Sequence, residues 1–203
     1  MSFYRVARFA TGLYLKVFYR VKYVGRENVP DTGAAIIMSN HSSFADALFT
    51  ANAVKRDITF IARSSLTKNK VVDFIFRLCH VITVNRGESD MQAMRKSCAV
   101  LAEEKCFGIY PQGTRLPGPP LPDQAMAGIG LIASRSKAPV VPVAICPGNN
   151  KKRKPCLFRK VTVVVGKPVP CEEYTGFSDR PNSREIASYT FSKVCDLYNE
   201  YNR

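Results

Sequence analysis

Acidic residues are scarce: sixteen Asp and Glu face thirty Lys and Arg in 203 residues, a formal net charge of +14. Such an excess bears on association more than on fold, and it excludes polycationic partners in favour of anionic ones. No C-x-x-C pair occurs among the seven scattered cysteines, which argues against a disulfide framework and against a zinc cluster and fits a reducing compartment. There is no uncharged apolar run of the ~18 residues that a spanning helix needs. There is also no small-residue cleavage site after the first apolar stretch, where Lys16 interrupts the hydrophobic character, so a secretory signal is not expected. Zinc-finger spacing, an aromatic RNA-binding strand motif and a helix-turn-helix signal are all missing, which leaves a nucleic-acid reading resting on charge alone. At this length one core-bearing domain suffices.

The first twenty-two residues hold Arg5, Arg8, Lys16, Arg20 and Lys22 and no acid, while Phe3, Val6, Phe9, Ala10, Leu13, Tyr14, Val17, Phe18 and Val21 recur at three/four spacing. At ~100° per residue this predicts an amphipathic helix with its basic residues opposite its apolar ones. The pattern fits a segment lying in a membrane interface; the same pattern fits a helix packed on a core. The expected organisation is therefore an interfacial helix over 1–24 and a single α/β domain over 25–203. Beyond Gly25, short β-branched runs alternate with helical stretches, which favours a mostly parallel central sheet flanked by helices. Strands are expected at 34–40, 58–63, 80–86, 106–111, 139–146 and 161–166. Helices are expected at 46–55, 70–78, 90–105, 125–136 and 183–201. The biased stretches 116–122 and 151–154 read as loops, the second able to touch lipid headgroups.

Two segments carry chemistry. The apolar run Ala34-Ala35-Ile36-Ile37-Met38 leads directly into Asn40-His41-Ser42-Ser43-Phe44-Ala45-Asp46. A histidine, with an unperturbed pKa of ~6.5, accepts a proton near neutrality, and a carboxylate can hold its other ring nitrogen as a donor. His41 and Asp46 thus read as a general base and its orienter. The second segment, Tyr110-Pro111-Gln112-Gly113-Thr114-Arg115, follows the run Cys106-Phe107-Gly108-Ile109, and ligands of open α/β sheets bind outside strand C-termini. Pro111 and Gly113 force a turn, Thr114 offers a hydroxyl, and the planar fork of Arg115 fits two phosphate oxygens.

Together, His41-x4-Asp46 and the later Pro-x-Gly-Thr-Arg loop resemble the glycerolipid acyltransferases that acylate 1-acylglycerol-3-phosphate. The strand His80-Val81-Ile82-Thr83-Val84-Asn85-Arg86 and the segment Val140-Val141-Pro142-Val143 add to the likeness, which covers about residues 25–146. The resemblance implies a glycerol-3-phosphate acyltransferase-like fold and transfer of a fatty acyl group from acyl-CoA or acyl carrier protein to the hydroxyl of lysophosphatidate, giving phosphatidate. It implies no cofactor, no metal and no covalent acyl-enzyme. His41 would deprotonate the hydroxyl and Asp46 would hold His41. Arg115, Arg86 and Arg63, with Thr114 and Gly113, would bind the acceptor phosphate. Asn40 and Gln112 would shape the site, and Asn40, Ser42 and Ser43 would shape the turn or donate to the oxyanion. The implied location is the cytoplasmic face of a membrane, as a monotopic protein meeting an anionic surface, with no nucleic-acid partner.

Two departures stand out. Gln112 occupies a position where the family usually has Glu, which removes a charge and opens the reading of a non-catalytic, lipid- or carrier-binding member. His80 and Thr83 depart from the usual strand motif. Another phosphate-bearing or lysolipid acceptor remains an alternative.

Overall fold

The computed structural model describes residues 3–78, 81–84, 90–148, 154–179 and 181–202. Among the described residues, seven strands form one sheet: β1 (Val21–Val24), β2 (Ala35–Ser39), β3 (Ile58–Arg63), β4 (Ile82–Val84), β5 (Cys106–Ile109), β6 (Val140–Cys146) and β7 (Val161–Val165). Their order is β1-β7-β6-β2-β5-β3-β4, and every pairing is parallel except that of β6 with β7. Strands buried on both faces lose the polar alternation of half-exposed ones, and β2 and β6, with every residue buried, read as unbroken apolar runs for that reason.

The helices are α1 (Phe3–Tyr19), α2 (Asp46–Ala53), α3 (Lys70–Leu78), α4 (Asp90–Ala102), α5 (Ala127–Ser136), α6 (Cys171–Gly176) and α7 (Ser183–Tyr201). One face of the sheet packs against α4, α5, α6 and α7 through Ile36, Met38, Phe107 and Phe191. The other packs against α1 and α2 through Leu15, Tyr19, Ile37 and Phe49. The start of α7 is fixed by Asn182, whose side chain accepts from the N–H groups of Arg184 and Glu185 while Glu185 reaches back to the Asn182 N–H, a reciprocal cap.

The N-terminal segment differs from the expected helix over 1–24. Its helix ends at Tyr19, Arg20 turns through a left-handed φ of 46°, and residues 21–24 join the sheet edge beside β7. Nor does α1 carry its basic residues on one side. Arg8 points inward and donates to the carbonyls of Val54 and Lys55 at the end of α2. Tyr4, Leu15 and Tyr19 are buried on this inner face, and the Tyr4 hydroxyl accepts from the Ile58 N–H at 3.1 Å. The helix therefore packs on the core along one face. Its opposite face leaves Val6, Phe9, Leu13 and Val17 exposed by 46–75%. No helix of the described residues is long and apolar enough to cross a membrane. The expected strand 80–86 is described only as β4; His80 and Arg86 lie outside the described residues.

Candidate active site

Because β2, β5, β3 and β4 run parallel and adjacent, their C-termini line up along one end of the sheet. His41 follows β2, the Tyr110–Arg115 stretch follows β5, and Arg63 ends β3, so backbone topology alone brings three of the expected segments to one crevice. Adjacent strands lie ~4.8 Å apart, which puts the end of β3 roughly 10 Å from that of β2. The side chain of Arg63 is not among those described.

Asn40 fixes the exit from β2. Its amide nitrogen donates to the Ile145 carbonyl at 3.1 Å and its oxygen accepts the Ile145 N–H at 2.8 Å, extending the β2–β6 ladder by one side-chain rung. The chain then turns, and the turn is organised around one oxygen. Asp46 Oδ2 accepts from His41 Nδ1 at 2.9 Å, from the Ser42 N–H at 2.6 Å and from the Ser43 N–H at 2.7 Å. The Asp46 side chain is fully buried in the first turn of α2, where a helix N-terminus favours a negative charge. A carboxylate oxygen only accepts, so Nδ1 carries a proton toward it, and in the neutral ring the lone pair is then on Nε2. The His41 side chain is 21% exposed, open enough to meet a ligand.

The second segment backs this histidine. Tyr110 stacks on the His41 ring with centroids 4.4 Å apart and planes inclined by 22°. Its hydroxyl pairs with Thr50 Oγ1 of α2 at 3.1 Å, and the Phe60 ring stacks on it with planes nearly parallel and centroids 6.2 Å apart. Burial holds the Tyr110 phenol well above its usual 10.0, so it stays protonated and serves as a wall rather than a base. Gln112 Oε1 accepts the His41 backbone N–H at 2.7 Å, and its amide nitrogen donates to Gln124 Oε1 at 2.7 Å. The Leu116 N–H donates to the His41 carbonyl at 2.8 Å. The two segments are thus stitched together on both sides of His41. Gly113 makes the turn at φ 64°, a left-handed conformation that a residue with a side chain rarely adopts. Thr114 and Arg115 are exposed, and the Arg115 guanidinium carbon stands 3.5 Å from the centroid of the exposed Phe44 ring.

The geometry brings together His41, Asp46, Asn40, Gln112, Gly113, Thr114 and Arg115. It revises two roles. Ser42 and Ser43 commit their N–H groups to Asp46, which removes both as backbone oxyanion donors. Gln112 is a structural clip: its two amide ends match a backbone donor and a side-chain acceptor, a job that needs no charge. Tyr110, Phe44 and Gln124 were missed as contributors; an aromatic residue at a strand end, just before a turn proline, was the signal available for Tyr110. No group of His, Cys, Asp and Glu able to hold a metal ion occurs among the described residues.

A family model described as "Acyltransferase" matches residues 20–146, the span that contains both stitched segments. The chain belongs to the acyltransferase family. Among curated relatives, it is 26% identical over 167 residues to a 1-acyl-sn-glycerol-3-phosphate acyltransferase of Chlamydomonas reinhardtii, across 75% of this chain and 48% of that one. It is 32% identical over 98 residues to a 1-acyl-sn-glycerol-3-phosphate acyltransferase of Borreliella burgdorferi, across 47% of this chain and 39% of that one. The chain therefore spans about half the length, or less, of these relatives. The crystal structure of the 1-acyl-sn-glycerophosphate acyltransferase PlsC from Thermotoga maritima shares the fold of this acyltransferase-family chain, with a TM-score of 0.69 at 24% identity, covering 98% of this chain and 83% of that one.

Proposed function

We propose that this chain transfers a fatty acyl group from an acyl thioester to the free hydroxyl of 1-acyl-sn-glycerol-3-phosphate, making phosphatidate at a membrane surface. The observation that carries the proposal is the His41–Asp46 contact of 2.9 Å, with the acceptor oxygen pinned by two backbone N–H groups beside an exposed arginine loop. His41 Nε2 takes the proton of the acceptor hydroxyl as its oxygen attacks the thioester carbonyl. The C–O bond forms, the C–S bond breaks, and the imidazolium returns the proton to the departing thiolate. Asp46 stabilises that imidazolium and holds its orientation. Arg115 and Thr114, and by their places in the sequence Arg63 and Arg86, receive the acceptor phosphate and aim its hydroxyl at His41.

The exposed apolar face of α1, bordered by Arg5 and Lys16, supports a monotopic placement on an anionic, cytoplasm-facing bilayer, where both the one-chain acceptor and the two-chain product reside. Acyl-CoA and acyl carrier protein are both anionic donors that a +14 chain attracts. The test is acyl transfer in mixed micelles with lysophosphatidate, glycerol-3-phosphate and lysophosphatidylcholine as acceptors and both donor types. Transfer to lysophosphatidate that depends on Arg115 is expected. Equal transfer to the choline lysolipid, which carries no terminal phosphate, would overturn the acceptor assignment.

A further inference from the structure

The exposed apolar stripe of α1 does not end with the helix. Leu157 and Phe158, in the connection from β6 to β7, are 49% and 65% exposed, and Phe158 meets the helix where it ends. The Phe158 N–H donates to the Phe18 carbonyl at 2.5 Å, and the two rings lie 5.9 Å apart. Phe18 in turn packs on Tyr14, with centroids at 4.9 Å. Two segments about 140 residues apart in the chain thus form one aromatic ridge.

Phe158 carries two penalties. Its φ is 61°, in the left-handed region that glycine or asparagine adopts readily and a bulky side chain does not. It also leaves most of its ring in water. Strained backbone persists where the surroundings hold it in place, and it concentrates at functional positions.

We propose that the β6–β7 connection is a second membrane anchor, in which Leu157 and Phe158 insert beside α1 into a bilayer with anionic headgroups. This rests on the membrane placement given above and adds a contact distinct from the helix. Charge selects the occupant. The sequence has no acidic residue from 1 to 26 or from 124 to 171, and these stretches hold six and nine of the Lys and Arg. Arg159 and Lys160, directly after Phe158, are exposed. A second copy of the chain would bring like charge against like, whereas anionic lipid neutralises it.

Register also puts the ridge at the correct end of the molecule. Val21 pairs with Val161 and Cys146 with Thr162, which places the start of β1, the end of β6 and the start of β7 at the end of the sheet that bears His41. Between β1 and β2 lie only β7 and β6, three strand spacings or ~14 Å. A bilayer held here delivers its lipid directly to the crevice.

The test uses the full chain with Phe158→Asn, which tolerates the left-handed backbone and removes the apolar ring, beside Leu13→Gln in α1. Binding is measured by co-sedimentation with vesicles of phosphatidylglycerol and phosphatidylcholine, together with melting temperature and light scattering. Phe158→Asn is expected to weaken vesicle binding about tenfold or more while the melting temperature holds or rises. Unchanged binding in Phe158→Asn with loss in Leu13→Gln would refute the second anchor and leave the helix placement standing. Unchanged binding in both would overturn the membrane placement itself. A lower melting temperature without a binding change would mean that Phe158 is a packing residue, and a lost dimer would mean that the ridge joins two copies; either result refutes the anchor.

Discussion

Replacing Asp46 by Asn has an outcome set by a single oxygen. Three donors converge on Oδ2: the ring nitrogen of His41 and the N–H groups of Ser42 and Ser43. An asparagine must place its own oxygen there, because its NH2 would face two backbone donors. Nδ1 of His41 therefore keeps its proton and Nε2 stays available as the base. What disappears is the negative charge that stabilises the imidazolium as the hydroxyl proton arrives. Hydrogen bonds to charged groups contribute ~1.5–3 kcal/mol against ~0.5–1.5 for neutral ones. The difference, with a neutral hydrogen bond left in place of the charged one, should raise the barrier by about 1–1.5 kcal/mol, a fall in kcat/KM of roughly 5- to 13-fold. Asp46→Ala should lose more, because it leaves two N–H groups without an acceptor and frees the imidazole to turn. The assay is initial-rate acyl transfer, with melting temperature recorded for each variant and His41→Ala as the floor. In the double variant, Asp46→Asn should add nothing to His41→Ala, as expected of residues acting as a unit. A rate within about twofold of the parent in Asp46→Asn would mean that no imidazolium forms, and the base role of His41 would be refuted.

Asn40→Ala should destabilise the fold by about 2–4 kcal/mol in urea unfolding, since it strands the N–H and carbonyl of Ile145 in the core; an effect under about 0.5 kcal/mol would refute the ladder-rung role. Gln112→Glu should keep most activity, because a carboxylate still accepts the His41 N–H, whereas Gln112→Ala should lower both rate and melting temperature. The reverse order would indicate that charge at this position, rather than the clip, matters. Burial pushes the Cys146 and Cys195 thiols up from 9.0 to about 12. The unfolded chain thus releases these protons first as pH rises, so stability is flat below about 9 and falls between about 9 and 12. Melting curves of Cys146→Ala should show a shallower alkaline fall, and an unchanged slope would rule out this thiol as a source.

The sequence exposed the elements whose burial is symmetric. β2 and β6 have apolar side chains on both faces and thus read as unbroken runs, and His41 was legible because it follows β2 without a gap. Residues 21–24 were not, because Val21 continues the three/four spacing of α1 and the left-handed turn at Arg20 uses neither glycine nor asparagine. The inward turn of Arg8 depends on the carbonyls of Val54 and Lys55, which only tertiary packing supplies. The short α6 fell below the length at which periodicity speaks. In the site, residue types at fixed offsets identified His41, Asp46 and the Gly-Thr-Arg turn. The partners that hold them, Tyr110 beneath the imidazole and Gln124 behind Gln112, come from contacts across segments and leave no spacing in the chain.

Thiol release from an acyl thioester in the presence of lysophosphatidate, followed for the parent protein and for His41→Ala with folding verified by melting, bears on all of this at once. Release that requires lysophosphatidate, produces phosphatidate in equal amount and drops to background in His41→Ala is the expected result. Undiminished transfer in a folded His41→Ala protein would contradict the assignment of His41 as the base.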